Sequence, residues 1–181
     1  NYLKIETEVY HTRDKYLIKC YEHSKGIRIL RQDLWEVLIT FIISQNNNIP
    51  RIKKSVKALC NGSHHFPTPE ELHRATEEDL RPLGVGFRAP FIIDAVNKHE
   101  ILSQIDSLDF DEAMEKLQEI KGIGPKVASC ILIFSYARRE GFPMDTWMKQ
   151  CMAKYYPEKD KSYFHPYEAL SQQYLFSFMR G

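Results

Sequence analysis

Several features of common protein classes are missing from this 181-residue chain. Its 25 basic and 24 acidic residues nearly cancel, so the formal net charge is only +1 and no global field favours a polyanion. It has no run of about eighteen apolar residues and no signal peptide at its start, which argues against a membrane or secretory protein. A highly charged partner would therefore have to be bound through a local patch.

The spacing of the cysteines and histidines also gives little indication of metal or redox chemistry. The four cysteines lie far apart in the sequence, at Cys20, Cys60, Cys130 and Cys151. No Cys-x-x-Cys pair occurs, so neither an iron–sulfur cluster nor a zinc site is indicated. His64 and His65 are adjacent without a third ligand, which is typical of solvated loop residues. We predict no metal, no cofactor and reduced thiols in an intracellular protein.

Apolar spacing predicts a helical protein. Hydrophobic residues make up 43% of the chain, enough for one core that is divided between at most two lobes. Spacings of three and four, together with capping residues, predict helices over about 13–24, 34–44, 50–59, 89–105 and 166–179 and one that ends at Ile120. Further helices should begin near Pro69, near Thr76, near Pro125 and after Asp145, the last ending before Pro157. Residues 27–30 have the composition of a strand, but the following Arg-Gln-Asp favours a connector to a helix cap at Asp33.

The stretch most informative about function is 120–145. Gly122 and Gly124 lie in a turn that side chains would obstruct, and Pro125 suits the first helical position because it has no amide hydrogen to lose. One helix should end near Ile120 and another should begin near Pro125. The glycine amides and the helix N-terminus between them can approach an anion closely, and a nucleic-acid phosphate is the obvious ligand.

Two ionisable residues follow this turn. Lys126 is one step inside the second helix, where the helix dipole and any burial oppose protonation, and a neutral amine is a nucleophile. Asp145 comes nineteen positions later, where it can also cap the next helix. An amine and a carboxylate in one cleft would suit covalent chemistry at a carbon that develops positive charge.

Three motifs occur along the chain in a characteristic order. They are Ser-Gln-Asn-Asn-Asn at 44–48, Lys-Gly-Ile-Gly-Pro-Lys-Val-Ala at 121–128 and Phe-Pro-Met-Asp at 142–145. Together they resemble the helix-hairpin-helix DNA glycosylases, specifically the 8-oxoguanine DNA glycosylase branch. The hairpin alone is moderately specific, but the asparagines, the lysine and the aspartate in this order make a strong match that extends from 26–33 to 172–176.

The resemblance implies an all-α, two-lobed DNA glycosylase fold with a helix-hairpin-helix motif. Residues 1–181 would form the catalytic region, with a cleft between the two lobes. Members of this family usually carry an additional N-terminal sheet domain. This chain opens at Asn1 rather than Met and nothing ahead of Tyr2 supplies a sheet, so we expect a fragment or trimmed chain that lacks this domain.

The resemblance also implies catalytic roles. Lys126 would attack C1′ of an extruded nucleotide, expel the oxidised base and leave a Schiff base, after which the strand is cleaved on the 3′ side. Asp145 would stabilise the oxocarbenium-like charge or help to activate the nucleophile. In a non-catalytic alternative, Lys126 is merely another cation beside a phosphate.

DNA contacts are implied for a second set of residues. Asn46 would pair with the base left behind by extrusion, with Arg51 beside it, and Phe87 and Arg88 would contact the same base. Without the resemblance, the asparagines fit a solvated turn, and Phe87 and Arg88 fit a helix staple and a surface charge. The complete set of implied DNA-binding residues is Asn46, Asn47, Arg51, Phe87, Arg88, Gly122, Gly124 and Val127.

A base pocket is implied for four further residues. Cys130 and Phe134 share a helix face with Lys126 because they recur every four residues. A glutamine at the position of Gln172 would read the edge of the flipped purine, and Phe176 would close the pocket. Core packing is the alternative for the three apolar residues, and a surface amide is the alternative for the glutamine.

Two positions leave the register and one contact open. Gln173 takes the role of Gln172 if the register differs by one residue. Animal members of the family commonly have a histidine where this chain has Trp147, and that histidine supplies a phosphate contact.

The function implied is a bifunctional DNA glycosylase and AP lyase of base excision repair that removes 8-oxoguanine. Its partner would be double-stranded DNA containing a damaged base, and it would act as a monomer in a bacterial cytoplasm or nucleoid, or in a nucleus. The alternatives are a glycosylase of different damaged-base specificity and a non-catalytic helix-hairpin-helix DNA-binding module. The near-zero net charge also leaves open a helical interaction domain.

Overall fold

The computed structural model describes residues 14–181, and within this range the regular structure is entirely helical. The α-helices are α1 Lys15–His23, α2 Leu34–Ser44, α3 Ile49–Leu59, α4 Pro69–Leu72, α5 Glu77–Leu80, α6 Ala89–Asn97, α7 Phe110–Gln118, α8 Pro125–Tyr136, α9 Thr146–Tyr155 and α10 Glu168–Arg180. Short 3₁₀ helices cover Arg81–Leu83, Gly86–Arg88, His99–Ser107 and Lys161–Phe164. The all-α prediction is confirmed for the described residues. The expected absence of a sheet domain concerns the start of the chain, which lies outside them.

Capping side chains determine where several helices begin. Asp33 and Asn48 each accept a hydrogen bond from the amide three residues ahead, at 2.9 and 3.0 Å, so α2 and α3 begin immediately after them. Thr68 and Glu71 form a reciprocal capping box at the start of α4. These starts are encoded locally, within four residues of sequence.

The predicted helix over 89–105 is wrong in its second half. α6 ends at Asn97, and the chain continues to Ser107 in tighter 3₁₀ turns. The buried residues Val96 and Ile101 are five positions apart. In a continuous α-helix, side chains at this spacing would point in different directions. Both side chains are buried, one before and one after the change of helix type.

The described residues form two compact units. The larger unit is Arg31–Tyr136, and the smaller one combines residues 14–30 with Ala137–Gly181. Aliphatic side chains fill the core of the larger unit, and those without exposed surface include Leu38, Ile39, Ile42, Ile43, Ile92, Ile105, Leu117, Ile120, Ile131 and Leu132. Each such side chain contributes about 1.5–3 kcal/mol through burial.

Aromatic side chains dominate the core of the smaller unit. Tyr21 meets Tyr174 edge to face at 5.2 Å between ring centroids, and Phe142 stacks on Phe164 at 5.2 Å. These are the geometries that aromatic pairs prefer. They join the segment before α9 to the segment before α10, and they pack α1 against α10.

Candidate functional site

The predicted hairpin connects α7 and α8, and its two glycines serve different purposes. Gly122 has φ = +84°, a conformation that residues with a side chain rarely adopt. A Cβ atom there would lie 2.5 Å from Cδ2 of Phe91, because the phenyl ring packs directly on the glycine. A Cβ atom on Gly124 would meet no atom within 4 Å. Gly122 is therefore required by the fold, whereas Gly124 leaves open space beside the backbone.

The C-terminal end of α6 holds the hairpin in place. Asp94 accepts a hydrogen bond from the backbone amide of Lys121 at 2.6 Å and forms an ion pair with Lys98 at 3.0 Å. The ammonium group of Lys98 also donates to the carbonyl of Glu119 at 2.7 Å. These contacts join the hairpin to a helix that is distant in sequence.

The first turn of α8 presents backbone amides. The carbonyl of Gly124 accepts the first helical hydrogen bond, from Ala128 at 3.0 Å, so the amides of Lys126 and Val127 have no acceptor within the helix. Such amides bind anions. The side chain of Val127 is buried in the core, so only its backbone amide is available to a ligand.

Lys126 extends over a pair of aromatic rings. Its Nζ lies 5.7 Å from the centroid of the Phe41 ring, and that ring stacks on Phe134 at 5.9 Å with an interplanar angle of 20°. Cys130 is buried one turn before Phe134 on the same helix. The larger unit thus brings together the predicted lysine and a predicted pocket residue, and it adds Phe41, which the sequence indicated only as part of a buried helix.

A cavity opens beside this aromatic pair. Its volume is about 540 Å³, within the range of ligand pockets. The residues that line it are Gln32, Asp33, Glu36, Val37, Thr40, Phe41 and Phe134. Flat aromatic surface beside amide, hydroxyl and carboxylate groups suits a planar, polar ligand such as a nucleobase.

Arg88 holds the asparagine loop from behind. Its side chain is only 5% exposed, and its guanidinium donates to the carbonyls of Gln45, of Asn46 at 3.0 Å and of Val85 at 3.1 Å. Burial, and then the nearby charge of Arg51, lower the pKa of Arg88. The observed contacts of Arg88 are structural, and its contact with the orphaned base stays a prediction.

The three asparagines of this loop differ in their contacts. Asn47 donates from its side chain to the carbonyl of Ile43 at 3.0 Å and accepts from the amide of Asn48 at 3.0 Å. Asn48 caps α3. Asn46 has a left-handed backbone with φ = +48°, and its side chain forms no hydrogen bond with any residue in the described range. Asn46 is therefore the asparagine available to a ligand.

An exposed phenylalanine joins the asparagine loop to the hairpin. Phe87 is 53% exposed, and the guanidinium of Arg88 lies 4.4 Å from its ring centroid. Its ring also meets the edge of Phe91, at 6.2 Å, and Phe91 packs on Gly122. All eight residues implied in DNA binding lie in the larger unit, and these contacts connect four of them: Asn46, Phe87, Arg88 and Gly122.

Asp145 belongs to the smaller unit, where it caps α9 as predicted. Its side chain accepts a hydrogen bond from the amide of Met148 at 2.8 Å. Two residues earlier, the carbonyl of Pro143 accepts from the side chain of Gln172 at 3.2 Å. Gln172 is 3% exposed and also accepts from Gln173 at 2.7 Å. The predicted carboxylate and the predicted base-reading amide are therefore connected through a short backbone segment.

The remaining predicted positions in the smaller unit are more accessible. Phe176 is half-buried against the aromatic core, with the guanidinium of Arg180 5.5 Å from its ring centroid. Trp147 is 44% exposed at the start of α9.

None of the described helices is long and apolar enough to cross a membrane.

Comparison with known proteins identifies the family. Residues 39–174 match the HhH-GPD superfamily of base excision DNA repair proteins, and the matched range contains the asparagine loop, the hairpin, Lys126 and Asp145. The chain belongs to this superfamily. A probable N-glycosylase/DNA lyase of Methanothermobacter thermautotrophicus is 32% identical, with 87% of this chain and 62% of that protein covered.

Two further proteins are similar to this chain. The N-glycosylase/DNA lyase of Saccharomyces cerevisiae is 36% identical over 73% of this chain and 42% of its own length. The crystal structure of the 8-oxoguanine glycosylase/lyase of Clostridium acetobutylicum is 37% identical with a TM-score of 0.89, covering 97% of this chain and 70% of that one. The chain spans about half the length of the curated relatives it matches. The all-α fold with its hairpin is confirmed, and the cleft between two lobes stays a prediction.

Proposed function

We propose that this protein is a bifunctional DNA glycosylase and AP lyase that removes 8-oxoguanine from double-stranded DNA. The observation that carries the proposal is the position of Lys126. Its amine follows the glycine hairpin directly and extends over Phe41, whose ring lines a cavity with Phe134. Similarity to named N-glycosylase/DNA lyases supports the same activity.

DNA binding would use the hairpin and the asparagine loop. The amides of Lys126 and Val127 would bind a phosphate, as the free amides of a helix N-terminus do. Extruding one nucleotide costs a few kcal/mol, and the free side chain of Asn46 would fill the space that it leaves. Arg88 would hold the loop carbonyls throughout, and Phe87 would stack beside the orphaned base.

The chemistry would begin at the amine of Lys126. Its lone pair attacks C1′, the glycosidic bond breaks, and its electron pair leaves with the oxidised base while the amine releases a proton. The sugar ring then opens to a Schiff base, and loss of a proton from C2′ expels the 3′ phosphate. The carboxylate of Asp145 would stabilise the positive charge that develops on the sugar. The lysine supplies the nucleophile, so no cofactor is required.

The proposal extends to partner and location. One chain carries every residue assigned to the reaction, so a monomer suffices. The protein would act wherever the DNA of its cell is held, in a bacterial nucleoid or in a nucleus.

Borohydride trapping tests this function most directly. Sodium borohydride reduces a Schiff base to a stable amine, so the wild-type protein should become attached covalently to a duplex containing 8-oxoguanine. Lys126→Gln should abolish trapping while its affinity for DNA stays within a few-fold of wild type. Lys116→Gln, which removes a lysine that is paired with Glu119, serves as the control and should trap normally. Trapping that persists in Lys126→Gln would refute the role of this lysine.

A panel of duplexes separates the alternatives. Release of an alkylated purine in preference to 8-oxoguanine would support a glycosylase of different specificity. Binding of every duplex without release of any base would support a non-catalytic DNA-binding module. The solved 8-oxoguanine glycosylase/lyase extends beyond the region that this chain matches, so the specificity test should include each of these substrates.

A further inference from the structure

The helix that follows the asparagine loop carries a concentrated positive charge. α3 has the sequence IPRIKKSVKAL, which contains Arg51, Lys53, Lys54 and Lys57 and no acidic residue. The chain as a whole has a net charge of only +1, so its other charges are close to balanced. This helix is therefore a local patch of the kind that a nearly neutral DNA-binding protein requires.

Three of these cations occupy one face. With 3.6 residues per turn, Lys53, Lys54 and Lys57 project within an arc of roughly 100°. All three are exposed, and the buried residues Ser55 and Leu59 lie on the opposite side. We call the three residues the lysine face.

The lysine face differs in its ion pairing from other lysines of the same unit. In the same unit, Lys98 and Lys116 form ion pairs of 3.0 Å with Asp94 and Glu119. Nowhere in residues 14–181 does a carboxylate form an ion pair with the lysine face. Unpaired cations gain most from a polyanion, because each phosphate that they neutralise releases a condensed counterion from the DNA.

The position of the lysine face connects it with the predicted DNA site. Asn48 caps α3, so the helix starts at the asparagine loop, and the charge of Arg51 reaches the buried Arg88 that holds this loop. Lys57 lies four residues beyond Lys53, about 6 Å along the helix axis. One strand of duplex DNA advances about 3.4 Å per phosphate, so this length matches two or three phosphates.

We propose that the lysine face binds the phosphates of the DNA strand that carries the orphaned base. The choice of strand rests on the proposed function, which places Asn46 and Arg51 beside that base. Phosphate contacts carry no sequence information. The lysine face therefore raises affinity for damaged and undamaged duplexes alike and leaves the choice of damaged base to the pocket.

The salt dependence of DNA binding tests the proposal. The triple variant Lys53→Gln, Lys54→Gln, Lys57→Gln is compared with wild type by fluorescence anisotropy, on an undamaged duplex and on one containing a stable abasic analogue. The slope of log K against log salt is negative, and each lost phosphate contact should make it less steep by about 0.9. Between 50 and 200 mM salt, wild-type affinity should therefore fall about 40-fold more than that of the triple variant on both duplexes.

Matched variants control for charge and folding. Replacing the three lysines by arginine should keep the wild-type slope. Replacing Lys15, Lys25 and Lys116 by glutamine removes the same charge elsewhere and should also keep it. If the salt slope of the triple Gln variant equals that of wild type, the proposal is overturned and the lysine face is merely solvated. This conclusion does not depend on whether the protein releases a base. If the wild-type protein releases no base, but its salt slope still exceeds that of the triple Gln variant, only the proposed reaction would be refuted.

Neutral phosphate analogues test the choice of strand. Methylphosphonate linkages in the strand opposite the abasic analogue should weaken wild-type binding about as much as the three Gln substitutions do, and they should scarcely affect the triple variant. The same linkages placed only in the strand with the abasic analogue should weaken both proteins equally. The reverse pattern would overturn the assignment to the strand of the orphaned base.

Discussion

The two hairpin glycines allow the requirements of folding and of ligand binding to be separated residue by residue. Gly122→Ala places a Cβ atom against Phe91 and forces a left-handed backbone on alanine. We expect the free energy of unfolding to fall by about 2–4 kcal/mol, from backbone strain and overpacking together. Chemical denaturation of the purified variant measures this loss. An unfolding free energy within about 0.5 kcal/mol of wild type would contradict the reported contact.

Gly124→Ala is the matched substitution. Its Cβ atom meets nothing within 4 Å, so stability should change by less than about 1 kcal/mol. The added methyl group would stand beside the amides proposed to hold a phosphate, so affinity for duplex DNA should fall about tenfold, a loss of about 1.4 kcal/mol. Denaturation and anisotropy on the same preparation give both values. Unchanged DNA affinity would mean that the phosphate lies elsewhere.

Asp145 has a structural and a proposed chemical role, and two substitutions distinguish them. Asparagine caps helices as well as aspartate does, so Asp145→Asn should retain the cap of α9 while losing the charge. Its rate of base release should fall about 10²–10³-fold with little change in stability. Asp145→Ala should lose the same activity and about 1 kcal/mol of stability in addition. Single-turnover kinetics on an 8-oxoguanine duplex would detect the loss, and nearly normal turnover by Asp145→Asn would rule out a catalytic charge.

At the scale of elements, the loop between α2 and α3 depends on one buried arginine. Arg88→Leu would leave the carbonyls of Gln45 and Asn46 without their donor. We expect a loss of about 1–3 kcal/mol in stability and faster amide hydrogen exchange in this loop. Hydrogen exchange followed by mass spectrometry measures the second effect directly.

Arg81 provides the comparison for this loop experiment. It is an exposed arginine on a neighbouring 3₁₀ helix and pairs with Glu77 at 2.6 Å. Arg81→Leu should cost less than about 0.5 kcal/mol, because exposed ion pairs contribute little. Equal exchange rates in the asparagine loop for both variants would show that Arg88 does not restrain it.

Helix boundaries illustrate what local sequence can specify. Asp33 and Asp145 were each predicted as caps, and each accepts the expected backbone hydrogen bond, because a cap involves only the next two or three residues. The end of α6 was predicted wrongly because it depends on which side chains the core must accept. The five-residue step from Val96 to Ile101 departs from helical spacing and marks the region where the chain changes to 3₁₀ turns.

At the scale of the whole molecule, buried thiol and phenol groups make the free energy of unfolding sensitive to alkaline pH. Burial, with the Cys151 thiol as a second cause, raises the pKa of Cys20 to about 12 from an ordinary 9.0, and burial raises the pKa of Tyr156. Such groups lose their protons more readily in the unfolded chain, so their stabilisation is complete below pH 9 and declines as the pH rises toward 12. The slope is about 1.4 kcal/mol per pH unit for each group, and it begins near pH 9 for Cys20 and near pH 10 for Tyr156.

Denaturation midpoints between pH 8 and 11 would measure this decline. Cys20→Ala should be less stable at pH 8, because it leaves a small cavity, but its stability should fall less steeply above pH 9. An identical slope in the variant and in wild type would show that Cys20 does not contribute.

The candidate site also shows which information only the folded chain contains. The sequence indicated Lys126 and the glycine turn, because motif and helix start are local. It did not reveal Phe41 beneath the lysine or the hydrogen bonds from Arg88 to a loop 42 residues away. Each of these depends on a long-range contact. The helical spacing of Phe41 predicted that its side chain is buried, but it did not indicate that Lys126 lies over the ring.

The double constraint on Gly122 has an evolutionary consequence. A smaller side chain in place of Phe91 would relieve the steric contact, but the backbone would keep its positive φ, so no change at a second position fully compensates for losing this glycine. Gly124 meets no comparable obstacle within the protein. In descendants of this fold that have abandoned nucleic acid, position 122 should remain glycine while position 124 drifts.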